Sequence, residues 1–178
     1  VVVNGSDCTI ESTEIRGTLA QPKDGLLGRG IQVQVGPSLG RANLTVRASV
    51  VADNKDVGVF VGGSDALLEG VVVEGTAPPE GDLAFGTGVN AELDIDSLER
   101  AKVAVRGSVI AESHSAGLLV RGATAVVEDT LIQGTLATAE TEMWGRGVLA
   151  ADEETTGQRA DLTLLGSRVE NSLRMGVG

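Results

Sequence analysis

Carboxylates are the commonest reactive groups in this sequence: 25 Asp and Glu stand against 14 Lys and Arg, with one histidine and one cysteine, for a formal charge of −11. Their placement points to two kinds of chemistry. In the stretch NAELDIDSLER, Asp94 and Asp96 lie between Glu92 and Glu99, and the matching stretch further along carries Asp152, Glu153 and Glu154. Hard oxygen ligands at that density can hold Ca2+, so Asp94, Asp96, Asp152 and Glu153 are the candidate metal ligands. The corresponding first loop, VGPSLGR (35–41), has no acid, so a solvated acidic patch is the favoured reading. The second arrangement is the series Glu11, Arg47, Glu69, Arg106, Glu128, which alternates in sign at regular positions. It is either a strip that faces a sugar or a device that holds strand register.

Catalysis finds little support. Glycoside hydrolysis needs two carboxyl groups at a controlled separation, and every Glu of the alternating series is matched by an Arg, so no pair stands out. Thr13, Ser49, Ser108, Thr130 and Ser167 recur at equivalent places, but no histidine repeats beside them to make a nucleophile. His114, in AESHSAG, is expected to be exposed, and a lone histidine makes no metal site. Zinc spacings, phosphate-binding glycine loops and the calcium nonapeptide GGxGxD do not occur. No residue is assigned a catalytic role, and the reading leans away from an enzyme.

The elements that position these groups come from internal repetition. DCTIESTEIRGT (7–18) returns as DALLEGVVVEGT (65–76) and TAVVEDTLIQGT (124–135), at offsets of 58 and 59 residues. ANLTVRASVV (42–51) returns as AKVAVRGSVI (101–110) and ADLTLLGSRV (160–169), again 59 apart. A shorter period divides each repeat in two: Gly30, Gly58, Gly88, Gly117, Gly147 and Gly176 recur every 28 to 30 residues. Within each unit apolar residues alternate with period two, as in strands. Val46, Val105 and Leu164 fall in one column with Ile10, Leu68 and Val127. Val51, Ile110 and Val169 fall in another with Ile15, Val73 and Ile132. Units of this kind bury their apolar face only by stacking on one another.

With three short strands per unit, the pattern LTVRASVVADNKDVGVFVGGS (44–64) and its descendants resemble the right-handed parallel β-helix repeat family, the pectin-lyase-like superfold, over essentially all 178 residues. The resemblance implies an all-β solenoid, a right-handed single-stranded parallel β-helix of about six coils with a two-coil repeat of 58–59 residues. It also implies kinship with enzymes that act on polysaccharides through Asp, Lys, Arg or His on one sheet groove. The reading is a single β-helix domain over 1–178. The chain opens and stops partway through a repeat, so a fragment of a longer chain, without caps, is expected.

Stacked in this way, the sign-alternating series becomes a ladder with neighbours about 4.8 Å apart. Beside it, Glu14, Val50, Val72, Val109, Leu131 and Arg168 form an outward column, and its four aliphatics make an apolar stripe suited to self-association. Three long loops, 17–30, 75–88 and 134–147, each place a bulky residue before a glycine: Leu27, Phe85 and Trp144. These either pin the loops to the flank or face a ligand. Cys8 occupies a core strand position and is expected to be a buried small side chain. Arg41, Arg100 and Arg159 end three loops in register and are expected to pair with loop acids or carbonyls.

The acidic balance disfavours nucleic acid and, without a bridging cation, anionic polysaccharides. No apolar run is long enough for a membrane helix. The expected role is a structural or binding scaffold of a secreted or surface protein that presents stacked loops to carbohydrate or another protein. Its ligand-facing candidates are Leu27, Phe85, Trp144, Glu11, Arg47, Glu69, Arg106 and Glu128. The alternative is the central part of a polysaccharide lyase or glycoside hydrolase; a calcium-dependent adhesion rod is a third reading.

Overall fold

A computed structural model describes residues 1–21, 27–38, 40–79, 86–137, 145–173 and 175–178. The strands fall into three parallel sheets, A, B and C, which the chain visits in turn to form a right-handed parallel β-helix. Sheet A holds Val2–Asn4, Ile31–Gln34, Val57–Gly62, Thr87–Glu92, Ala116–Arg121, Arg146–Ala151 and Met175–Val177. Sheet B holds Asp7–Glu11, Asn43–Arg47, Asp65–Glu69, Lys102–Arg106, Thr124–Glu128 and Asp161–Leu165. Sheet C holds Glu14–Arg16, Val50–Ala52, Val72–Glu74, Val109–Ala111, Leu131–Gln133 and Arg168–Glu170.

The columns expected from the repeat are the columns observed. Val46 is the register partner of Leu68, and both are fully buried. One continuous aliphatic core, built from Val, Ile, Leu and Ala, runs along the coil axis, and Cys8 packs partly buried against it, in register with Leu44. The period-two alternation puts Leu44 and Val46 inside while Asn43, Thr45 and Arg47 face out.

Two corners repeat in all six coils, and each turns on one left-handed residue. Between sheets B and C it is Ser12, Ala48, Gly70, Gly107, Asp129 or Gly166, with φ between +43° and +61°. After sheet C it is Gly17, Asp53, Gly75, Glu112, Gly134 or Asn171, with φ between +52° and +69°. The first corner is further held by hydroxyls. Ser108 Oγ donates to the Arg106 carbonyl at 2.8 Å and accepts the Val71 N–H at 3.0 Å. Ser49 does the same between Arg47 O and Thr13 N–H, and Thr130 between Glu128 O and Ser108 N–H. Each hydroxyl therefore satisfies a backbone amide of the preceding coil that the turn would otherwise strand.

The recurring glycines mark a different constraint. Gly30, Gly58, Gly88, Gly117 and Gly147 lie where sheet A starts against the interior of sheet C. A Cβ at each would come within 2.6–2.8 Å of the carbonyl oxygen of the next glycine up the stack. The buried hydroxyls of Thr76, Ser113, Thr135 and Ser172 line the same seam, without a hydrogen-bond partner among the described residues.

This seam generates a contrast. In Gly88→Ala the added carbon would sit 2.6 Å from Ser113 Oγ and 2.7 Å from both Gly117 O and Ile110 Cγ2. In Gly107→Ala it meets nothing within 4 Å and suffers only its positive φ of 52°. Gly88→Ala is expected to cost more than about 3 kcal/mol by overpacking, and Gly107→Ala about 1 kcal/mol by backbone strain. Equal urea midpoints for the two variants would show that close approach does not set the glycine seam.

Candidate functional site

The alternation that buries every second residue of sheet B leaves three outward columns. Asp7, Asn43, Asp65, Lys102, Thr124 and Asp161 form one rim. Glu11, Arg47, Glu69, Arg106, Glu128 and Leu165 form the other. Between them Thr9, Thr45, Leu67, Ala104, Val126 and Thr163 make a floor. Because the floor side chains are short, an open groove of about 440 Å3 crosses the strands, touched by Thr45, Leu67, Ala104 and Val126 and by rim residues Asn43, Asp65, Lys102 and Thr124. It runs along the stacking direction, so its polar groups repeat about every 4.8 Å.

The second rim is the ladder read from the sequence. Its members pair rather than share evenly: Arg47 Nε lies 2.9 Å from Glu69 Oε2, and Arg106 Nε lies 2.7 Å from Glu128 Oε2. Glu11 is in register with Arg47, but the guanidinium turns to Glu69. These carboxylates are held by arginines that carry their counter-charge, and side chains this exposed contribute about 0–1 kcal/mol per pair.

A second hollow, of about 340 Å3, lies over sheet A beside Arg29, Phe60, Glu92, Asp94, Arg121 and Glu153. Its cations are engaged. The Arg29 guanidinium sits 3.8 Å above the Phe60 ring and 3.1 Å from Asp56 Oδ2, and Arg121 lies 3.6 Å from Glu92.

Two of the four candidate calcium ligands are loop anchors. Asp94 Oδ1 accepts the N–H and the hydroxyl of Ser97, both at 2.8 Å. Glu153, one two-coil repeat on, accepts the N–H groups of Thr155 and Thr156 and the Thr156 hydroxyl. The N–H bonds from Thr155 and Thr156 outweigh the opposing effect of burial and pull the Glu153 carboxyl down to about 2 from its ordinary 4.5. Asp96 and Asp152 are exposed. Among the described residues no three acids, histidines or cysteines gather to hold a metal ion.

The loop arginines behave as expected at two of three positions. Arg41 binds Asp65, Glu99 and the Arg100 carbonyl. Arg100 binds Asp161 and the Gly122, Ala123 and Arg159 carbonyls. Each therefore clamps its own coil to the next two. Of the three bulky loop residues, Leu27 is 38 % exposed at φ +64°. Phe85 and Trp144 lie outside the described residues. His114 corrects an expectation: it is half-buried. Its Nδ1–H donates to the Thr76 carbonyl at 3.1 Å, because a carbonyl can only accept. The corner that holds it folds back on Thr76 and Gly86, whose carbonyls accept the His114 N–H.

The groove floor is the part that the sequence reading missed. Its signal was present in the central residues of NLTVR, DALLE, KVAVR and TAVVE: small or aliphatic side chains at an outward position between two polar ones.

No family model matches the chain, and no curated protein or solved structure matches it either.

Two outcomes follow from this geometry. Arg47→Glu would set three carboxylates, at positions 11, 47 and 69, in one column, whereas Arg47→Ala only removes a pair. The charge reversal should lower the melting temperature well beyond the alanine variant, and equal midpoints would remove the ladder's role in register. Glu153 titrates far below its unfolded value, so its stabilisation is full above about pH 4.5 and is lost as pH falls through about 2. An NMR titration should place the Glu153 carboxyl midpoint near 2, and Glu153→Gln should flatten the acid limb of stability. An ordinary glutamate midpoint would contradict the loop-anchor role.

Proposed function

We propose that this β-helix is a non-catalytic binding scaffold of a secreted or cell-surface protein, kin to the pectin-lyase-like solenoids, that holds an extended carbohydrate along the outer face of sheet B. The observation that carries the reading is the open groove across the strands of sheet B, with a largely apolar floor at Thr45, Leu67, Ala104 and Val126 and a hydrogen-bonding rim at Asn43, Asp65, Lys102 and Thr124. A sugar chain presents hydroxyls at its edges and C–H groups on its faces, which suits polar rims and an apolar floor. The rim groups recur about every 4.8 Å, close to the length of one sugar ring, so each coil can meet one unit, through a different polar group in each: Asn43, Asp65, Lys102 and Thr124. Affinity would then accumulate over several weak contacts.

The net charge of −11 favours a neutral or amino-substituted glycan over an anionic one. The kinship with the pectin-lyase-like family rests on the repeat pattern. The scaffold reading over the lyase or hydrolase alternative rests on the carboxylates. Glu69 and Glu128 are tied to arginines, and Glu153 is displaced downward, opposite to the rise that a general acid needs.

Affinity electrophoresis through gels containing neutral, amino-substituted and acidic polysaccharides tests this. Retardation is expected in at least one neutral or amino-substituted gel, and Ala104→Arg, which fills the floor from an outward position, should abolish it while leaving the melting temperature in place. Failure of every glycan to retard the intact protein would sink the proposal. Release of reducing or unsaturated ends that Glu69→Gln abolishes would replace it with the enzyme alternative.

A further inference from the structure

Sheet C offers a surface of a different kind. The first residue of each of its strands faces outward and stands in register with the next: Glu14, Val50, Val72, Val109, Leu131 and Arg168. The four aliphatics are half-buried and contiguous. The third residues form a parallel column, which begins at Arg16 and ends at Glu170. The stripe is thus closed at both ends by a charge pair written in opposite order. Along the strand, one end reads acid then base (Glu14, Arg16) and the other reads base then acid (Arg168, Glu170). Within each end the two side chains pair with one another, Arg16 also reaching Asp53; Glu14, Arg16 and Arg168 are open to solvent, with Arg168 75 % exposed, and Glu170 is half-buried.

From this arrangement we infer that sheet C is a self-complementary face on which a second copy of the chain docks with its coil axis reversed. The operator is a two-fold axis in the interface, parallel to the strands and midway between the Val72 and Val109 strands. It sets Val72 on Val109 of the second copy, Val50 on Leu131, Glu14 on Arg168 and Arg16 on Glu170, each contact occurring twice. A two-fold axis parallel to the coil axis would also cross-pair the end charges. It would, however, lay Val72 on Glu74 and Leu131 on Gln133, burying a carboxylate and an amide against aliphatics. The first operator instead sets the four larger aliphatics on one another and places Glu74 on Ala111 and Gln133 on Ala52, so it keeps the polar side chains off the aliphatic stripe while matching the end charges. It leaves the sheet B groove free, so it stands independently of carbohydrate binding.

The face sets the strength of the association. Six strands span about 24 Å and three residues about 10 Å, a footprint far smaller than the ~800 Å2 per partner typical of stable complexes. The charge of −11 on each copy opposes it further. The dimer is therefore a weak one, populated at high micromolar concentrations and above at physiological salt.

Sedimentation equilibrium over a concentration series into the millimolar range tests the face, and charge exchange tests the operator. Arg168→Glu with Glu170→Arg brings like charges together at all four ion-pair positions across the interface, and should weaken association at least about tenfold. Adding Glu14→Arg with Arg16→Glu restores the match and should restore association. Glu14, Arg16 and Arg168 are solvent-exposed and Glu170 is half-buried, and unchanged thermal melting of each variant would certify its fold. A chain that stays monomeric throughout the series would overturn the proposal. So would association that the first exchange leaves unchanged, since the rejected operator predicts that result.

Discussion

Close vertical contact between successive coils is the constraint on which this molecule depends. Every strand takes its hydrogen bonds from the turns above and below it, so no coil is a stable object alone. The seam where sheet A begins is the tightest expression of that contact. Along it, backbone approaches backbone so nearly that a single methyl group would strike the carbonyl oxygen of the next coil. Aliphatic side chains then fill the interior one layer per turn, with Val46 over Leu68 and Val105 over Val127. The packing is uniform because the geometry of each layer is set by its neighbours rather than by its own loops.

That uniformity frees the outside. Once the interior columns are satisfied, the outward positions of sheets B and C can vary without disturbing the core, and they have diverged into surfaces of different character. Sheet B carries short floor residues between polar rims. Sheet C carries aliphatics bracketed by opposite charges. Around sheet A, Arg41, Arg100, Asp94 and Glu153 use their charge to hold loop backbone in place. These ionic groups thus serve geometry.

The interior was legible in the sequence because it repeats. Period-two alternation and the 58–59-residue offset place Ile10, Val46, Leu68, Val105 and Val127 in one column. The ladder from Glu11 to Glu128 was legible for the same reason. Its pairing was not, because register brings Arg47 equally near to Glu11 and Glu69, and only side-chain rotamers choose between them. The corners were hidden for a different reason. A left-handed turn can be occupied by Ser12, Ala48, Asp53, Glu112 or Asp129 as well as by glycine, so the column has no single-letter signature. His114 was misread because a tight corner was taken for an exposed one. Its ring lies against Thr76 of the coil below, a contact that linear neighbours do not reveal. The groove went unnoticed because small outward residues carry no chemistry of their own; only their alignment over several turns creates a hollow.

The loop arginines bear on how such a rod can change in length. Arg41 reaches the Arg100 carbonyl and Arg100 reaches the Arg159 carbonyl, each skipping a turn. The aliphatic interior would accept the gain or loss of a single turn, since every layer resembles the next. The clamps would not, because the guanidinium would then find a tight corner where its acceptor loop should be. Duplication and deletion in this lineage should accordingly proceed by whole pairs of turns, and any rod engineered from it would be cut or extended in the same increments.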